Sequence, residues 1–134
     1  MKTRSIFLIV LFSTCLASAK DLPKANNSAQ VVVEIDFGKE KAAKTVSVDY
    51  TQNLTALEAL QKCAIVKTEP LENLVFVTGI DYVNGKRGEM AWYYKINSEN
   101  TKKLAISQLV EPGDTIQWRY VKDVCSATVD CKRK

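Results

Sequence analysis

The sequence contains no histidine, and this absence narrows the chemistry open to the protein. Nucleophilic sites of the Ser-His and Cys-His types need an imidazole, so both are excluded. The commonest zinc ligand is missing too, and no Cys-x-x-Cys pair takes its place. The acidic residues form no catalytic signature, since Glu34 and Asp36 share a strand face without a partner and Asp114 belongs to a turn. We therefore expect neither an enzyme nor a metal site.

A large excess of charge of either sign is also lacking. The chain has 19 basic and 15 acidic side chains, a formal net charge of +4. Residues 1–19 hold two of the basic side chains and none of the acidic ones, so the remainder carries +2. This balance does not favour nucleic acid or an anionic membrane surface as a partner.

Apolar runs are short, and the one at the N-terminus predicts export. Two positive charges in residues 1–4 precede the apolar residues 6–12, and Ala17-Ser18-Ala19 supplies the small residues that signal peptidase reads. The run is shorter than the roughly 20 residues that cross a bilayer, so we do not expect an integral membrane protein. We predict a signal peptide over residues 1–19, cleaved after Ala19.

The mature chain is therefore expected to be secreted or periplasmic. Residues 20–30 are polar and aperiodic, which is typical of a flexible lead-in. An alternative is a lipoprotein anchored at Cys15, because the residues before this cysteine weakly resemble a lipobox.

Alternating apolar residues predict strands around a single helix. A capping box formed by Thr55 and Glu58 marks the start of the helix. The order ββαβββ indicates an α+β fold with one helix packed on a mixed sheet. We predict one domain over residues 31–122, followed by a tail over residues 123–134. The predicted strands cover residues 31–37, 45–50, 74–80, 90–97 and 115–121.

The aromatic residues Trp92, Tyr93 and Tyr94 are the first candidates for ligand binding. Aromatic rings offer a large contact area to a flat ligand. Trp92 and Tyr94 share a face with Met90 and Ile96, so alternation favours the core for these two. Tyr93 points the other way, which makes it the better surface candidate.

Further candidates lie in a loop and on the last strand. The loop over residues 83–89 contains Gly85 and Gly88, which permit close backbone approach, although an ordinary hairpin loop explains them as well. Arg119 faces away from Trp118, which we assign to the core, and could meet an anionic group or simply be solvated.

Three cysteines remain after residue 19, and an oxidising compartment favours their pairing. Cys125 and Cys131 are close in sequence, so we predict a disulfide that closes the tail, with Cys63 as a buried thiol on the helix. In the alternative, Cys63 is linked to one of the tail cysteines.

Four features together resemble the transcobalamin-like C-terminal domain family. They are the early hairpin, the helix opening Leu54-Thr-Ala-Leu-Glu-Ala-Leu60, the strand Trp92-x-Tyr94-x-Ile96-Asn97 and the closing segment Pro112-Gly-Asp-Thr-Ile-x-Trp-x-Tyr120. The resemblance covers about residues 31–122 and implies a small exported module with a β-grasp-like fold. In the animal cobalamin carriers, such a domain closes over cobalamin held against a helical barrel domain, and we do not expect such a barrel within these 134 residues.

The resemblance implies a non-enzymatic binding module for cobalamin or a related corrinoid, with a partner that supplies the other half of the site. Cobalamin would be a bound ligand here, and no other cofactor is expected. Contact is expected on the strand of residues 92–94, where a carrier tryptophan aligns with Trp92, in the loop of residues 83–89 and before Pro112. The alternative is a module that docks on a protein or polysaccharide through a sheet edge or the loop face.

Overall fold

Two β-sheets and one short helix make up residues 29–125, the part of the chain that the computed structural model describes. The predicted signal peptide, nearly all of the lead-in and the tail beyond residue 125 lie outside this part. The predicted class, α+β with one helix on a mixed sheet, is confirmed. The elements are β1 (Gln30–Asp36), β2 (Lys44–Asp49), α1 (Ala56–Gln61), β3 (Val66–Leu71), β4 (Leu74–Ile80), β5 (Val83–Asn84), β6 (Met90–Ile96), β7 (Glu99–Asn100) and β8 (Thr115–Lys122).

The larger sheet has the strand order β2-β1-β8-β6-β7. β1 and β8 run parallel, and every other neighbouring pair in this sheet is antiparallel. The first and the last strand are thus neighbours at the centre of the sheet. Val33 lies opposite Ile116, and Trp92 lies opposite Tyr120, so the apolar residues of adjacent strands share one face.

That apolar face, which we call the inner face, carries most of the core. Residues at alternate positions of β1 and β8 are buried, as the period of two predicts. On β6, Trp92 is buried and the other residues of the same face, Met90, Tyr94 and Ile96, are partly buried. Each fully buried side chain of this size contributes about 1.5–3 kcal/mol, so the rows together supply the main driving force for folding. The inner-face core residues of these strands are Val31, Val33, Ile35, Trp92, Ile116, Trp118 and Tyr120.

Helix α1 begins with the capping box that the sequence predicts. The amide of Glu58 donates to Thr55 Oγ1 at 3.2 Å, and the amide of Thr55 donates to Glu58 Oε2 at 2.9 Å. The Thr55 hydroxyl also donates to Glu58 Oε2 at 3.0 Å, and the hydrogen bonds that the carboxylate accepts from the Thr55 amide and hydroxyl lower the pKa of Glu58. The helix buries Leu57 and Leu60, and Leu54 just before the cap is buried as well.

A smaller sheet, in the order β3-β4-β5, contains a strand that the alternation did not predict. β3 has the sequence Val-Lys-Thr-Glu-Pro-Leu and includes Pro70. Proline is accepted on an edge strand, where its missing N–H breaks no ladder. β5 and β7, at two residues each, were also too short to be predicted.

Two of the turns hold non-glycine residues in the left-handed region. Asp81 and Tyr82 join β4 to β5 with φ of 45° and 70°, and Asn97 and Ser98 join β6 to β7 with φ of 50° and 67°. Positive φ at both central residues is the requirement of a type I′ hairpin, which matches the twist of the strands. Glycine is the usual residue where φ is positive, so the backbone conformation of these four non-glycine residues is energetically unfavourable.

Candidate functional sites on the two faces of the sheet

The central sheet separates the predicted site residues into two groups. Trp92 and Tyr94 lie on the inner face of β6. Tyr93 lies on the opposite, outer face, where it is the cross-strand neighbour of Arg119 on β8. The side chains of the triplet therefore alternate between the two faces of the sheet, although all three residues line the same cavity.

Trp92 is enclosed in the core, which confirms the core interpretation. Its side chain is 7% exposed, and its indole Nε1 donates to the carbonyl of Val83 at 2.9 Å. The ring meets Phe37 edge-on at a centroid distance of 5.5 Å and Tyr120 at 5.2 Å. Such aromatic contacts stabilise beyond the area they bury, so Trp92 joins the hairpin loop to the sheet.

A cavity of about 250 Å³, which we call the inner cleft, opens between the inner face and the smaller sheet. Its floor includes the rings of Tyr94 and Trp118, which stack at a centroid distance of 5.0 Å. The Tyr94 hydroxyl donates to the carbonyl of Lys103 at 2.6 Å and fixes one wall. Burial raises the pKa of Tyr94, so this hydroxyl stays protonated at neutral pH. The other lining residues are Leu57, Val75–Val77, Trp92, Tyr93 and Thr101–Ile106.

Trp118, which lines the inner cleft, has a buried donor without a partner in the described part of the chain. Its side chain is 2% exposed, and among residues 29–125 its indole Nε1 finds no hydrogen-bond acceptor. Buried donors without a partner cost about 1–3 kcal/mol and are uncommon in native proteins. An acceptor atom on a ligand is one group that would satisfy this donor.

The mouth of the inner cleft is apolar and exposed. Phe76 and Ile106 line the cleft with 37% and 43% of their surface accessible. Leu71 and Leu74, register partners at the end of the β3–β4 hairpin, are also exposed. Exposed apolar side chains around a cleft are typical of a surface that meets another molecule.

The outer face of the sheet carries a polar cavity of about 440 Å³, which we call the outer groove. Two rows of side chains cross β1, β8 and β6. One row is Glu34, Gln117 and Lys95, and the second places Asp36 beside Arg119. Thr45 and Ser98 also line this groove.

Hydrogen bonds join the first row to the turn after β6. The Ser98 hydroxyl donates to Gln117 Oε1 at 3.2 Å, and Gln117 Nε2 donates to Glu34 Oε2 at 2.9 Å. The Arg119 guanidinium lies 3.7 Å from Asp36 Oδ2, with both side chains about half exposed. The planar groups of the groove are thus held in fixed orientations over a rigid sheet.

Sequence reasoning found Arg119 but missed Glu34, Lys95, Ser98 and Gln117 as one site. These residues come from β1, β6, β8 and the turn after β6, and only the strand order brings them together. The available signal was their polar character at the outward positions of three strands, which by itself is typical of any solvated sheet face.

Tyr93 lies on the outer face too, but the start of the tail covers its hydroxyl. The hydroxyl donates to Asp123 Oδ1 at 3.2 Å and accepts from the amide of Cys125 at 3.3 Å. Burial, together with the thiol of Cys125 and the carboxylate of Asp123, raises the pKa of Tyr93 to about 12. Tyr93 therefore remains neutral at any physiological pH.

The predicted glycine loop is fixed by the same carboxylate. Asp123 is 5% exposed, and its Oδ2 accepts from the amide of Gly88 at 2.8 Å. Gly88 has a φ of +79°, which favours glycine. At Gly85, an added Cβ would lie 3.1 Å from the carbonyl of Met90. Both glycines thus have backbone reasons for their presence.

The structure describes two of the three cysteines in the predicted mature chain, Cys63 and Cys125, so it tests the predicted pairing only in part. Cys63 is half-buried, and this burial raises the pKa of its thiol. Cys63 and Cys125 are not joined to each other. Because Cys131 lies outside residues 29–125, its predicted disulfide with Cys125 stays a prediction.

Neither a metal cluster nor a membrane span occurs in the described part of the chain. Within residues 29–125, no three or more His, Cys, Asp and Glu side chains come together in a way that could hold a metal ion. The helix in that range is also too short to cross a bilayer.

A helix on a mixed sheet with parallel first and last strands defines a small α+β domain. Residues 53–122 match the family described as a domain of unknown function (DUF4430), and the match spans more than half of the 134 residues. The chain belongs to this family. No curated protein has a sequence that matches it.

Two solved structures share the fold. One is the crystal structure of a proposed metal-binding protein from Ruminococcus gnavus, with a TM-score of 0.61 and 19% identity over 70% of this chain and 97% of that one. The other is haptocorrin in complex with Cbi, with a TM-score of 0.59 and 15% identity. The latter similarity covers 74% of this chain but 27% of haptocorrin. These comparisons show that the chain has a transcobalamin-like fold.

Proposed function

We propose that this protein is an exported, non-enzymatic binding module that covers one side of a flat ligand of the corrinoid type. The observation that carries the proposal is the inner cleft, where the stacked rings of Tyr94 and Trp118 line a mostly apolar cavity and the buried Trp118 N–H has no partner among the described residues. Ligand sites are mostly apolar concavities with a few placed polar groups, and this cleft has that composition.

The size of the inner cleft supports a site completed by a partner. Its volume of about 250 Å³ lies below the roughly 300–1,000 Å³ of ordinary ligand sites, so a large ligand would enter only in part. The similarity to haptocorrin, crystallised with Cbi, covers 27% of that protein, which leaves room there for a second domain. Exposed Phe76 and Ile106 at the mouth are suited to contact with the ligand or the partner.

The chemistry of the cleft selects for a ligand with an acceptor beside an apolar surface. The Trp118 N–H would donate to an amide or carboxylate oxygen, and the aliphatic stems of Lys102 and Lys103 flank the opening. A corrinoid, which has amide side chains around a flat ring, combines these features.

Titration of the mature protein with cobinamide tests this proposal. We expect saturable quenching of tryptophan fluorescence with an affinity in roughly the micromolar range or weaker, because half a site buries little surface against the full entropic cost of association. Calorimetry on the same samples gives an independent measure of the affinity.

Matched variants locate the binding. Ile106→Ser at the mouth should weaken cobinamide binding, whereas Arg119→Ala on the outer face should leave it unchanged. Absence of binding at millimolar cobinamide, both alone and with any genetically linked helical protein, would contradict the proposal. Docking on a protein or polysaccharide through a sheet edge or the loop face stays a prediction.

A further inference from the structure

We propose that the outer groove is a second binding site, and that its ligand is a neutral oligosaccharide. The groove has a volume of about 440 Å³, within the range of ligand sites. It lies on the opposite side of the sheet from the inner cleft, so this inference does not depend on the corrinoid proposal.

The side chains of the groove match the hydrogen-bonding pattern of sugar hydroxyls. A hydroxyl both donates and accepts, and the groove presents carboxylates at Glu34 and Asp36 beside the donors of Gln117 and Arg119. These planar groups form two rows, Glu34 with Gln117 and Asp36 with Arg119, which are two residues apart along β1 and β8. Their aliphatic stems offer contact to the C–H faces of a sugar ring.

The charges of the groove favour a neutral ligand. Glu34 and Asp36 are balanced by Lys95 and Arg119, so the four charged side chains on the sheet face sum to zero. The fifth charged lining residue, Lys44, pairs with Asp81 at 3.1 Å outside the groove lining. A strongly anionic or cationic polymer would therefore gain no net attraction here.

A peptide is a poorer match for this surface. Extended peptides bind by adding a strand to an exposed sheet edge. The rows of the groove instead cross β1, β8 and β6, which are paired on both sides there, while Lys44 and Thr45, which also line it, belong to the edge strand β2. Recognition across the three inner strands uses side chains alone.

The Ser98 side chain supports Gln117. Asn97 and Ser98 are the central residues of a type I′ turn, which accounts for the φ of +67° at Ser98. The Ser98 hydroxyl donates to Gln117 in the groove. We infer that the Ser98 hydroxyl fixes the Gln117 amide so that the amide meets the ligand in one orientation.

Calorimetric titration with cellohexaose, maltohexaose, chitohexaose and mannohexaose tests the proposal, and hexagalacturonate is the charged comparison. We expect millimolar or tighter binding of at least one neutral hexasaccharide and none of hexagalacturonate. Gln117→Ala should weaken that binding by roughly tenfold or more. This variant removes one hydrogen bond to the ligand and also the hydrogen bond that orients Glu34.

Ser98→Gly is the more decisive variant, because its expected effects on thermal stability and on sugar affinity have opposite signs. The melting temperature should be unchanged or raised, since glycine tolerates this φ, while affinity for the hexasaccharide falls. Ile106→Ser in the inner cleft is the matched control and should leave sugar binding intact. The proposal is overturned if no neutral hexasaccharide binds, if hexagalacturonate or a peptide binds the groove instead, or if Ser98→Gly and Gln117→Ala both retain full affinity. None of these outcomes depends on cobinamide binding.

Discussion

The inner and outer faces of the central sheet are built from the same strands but have opposite chemistry. On β8, Trp118 is buried against Tyr94, whereas its neighbours Gln117 and Arg119 lie in a polar groove. Successive side chains of a strand point to opposite faces, so neighbouring residues can serve unrelated surfaces. The sequence cluster Trp92-Tyr93-Tyr94 therefore contributes side chains to both faces of the sheet.

The largest expected difference between the faces is in stability. Trp92→Ala should lower the free energy of unfolding by about 3–5 kcal/mol, because it empties a core position and removes the hydrogen bond to Val83. Arg119→Ala on the outer face should change it by no more than about 0.5 kcal/mol, since the side chain is half exposed. Urea denaturation of both variants measures the contrast. Equal losses in the two variants would remove the distinction between the faces.

A smaller difference is expected within the inner face, between its two tryptophans. Trp92→Phe removes a hydrogen bond and leaves the Val83 carbonyl without that donor, whereas Trp118→Phe removes a donor that has no partner. Trp92→Phe should therefore cost about 1–2 kcal/mol more than Trp118→Phe. Denaturation midpoints of the matched pair provide the measurement. A greater loss for Trp118→Phe would show that its N–H is satisfied in solution.

The smallest expected effect is the ionisation of Tyr93 at the edge of the outer face. Its pKa is raised to about 12 by burial first and then by Cys125 and Asp123. The neutral form is favoured in the folded state, so its contribution to stability is complete below the ordinary value of 10.0 and is lost as the pH rises from there to about 12. The difference in phenolate absorbance between the unmodified protein and Tyr93→Phe isolates this group. A difference curve centred near 10 would contradict the assignment.

The sequence was informative where a local pattern determines the structure. Alternation predicted the faces of Trp92, Tyr94 and Trp118, and the Thr55–Glu58 spacing predicted the helix start, because both depend on residues close in the chain. β3 was not predicted because polar residues alternate through it. It also contains Pro70, and proline is uncommon in strands other than edge strands.

The sites were predicted less well, because they depend on which strands become neighbours. Glu34 and Gln117 form one hydrogen bond although they are 83 positions apart in the sequence. Alternation assigns each to an outward face but does not place β1 beside β8. The unpaired Trp118 N–H likewise results from the packing of the whole core, which no local motif encodes.

The parallel pairing of β1 with β8 also has a consequence for when the protein folds. Contacts between the first and last strands have large sequence separation, and such contacts form late and slow the folding reaction. The centre of the sheet is incomplete until Thr115–Lys122 is available. A chain that crosses a membrane N-terminus first would therefore remain unfolded through most of its passage, and its structure would assemble only after the C-terminal strand had emerged.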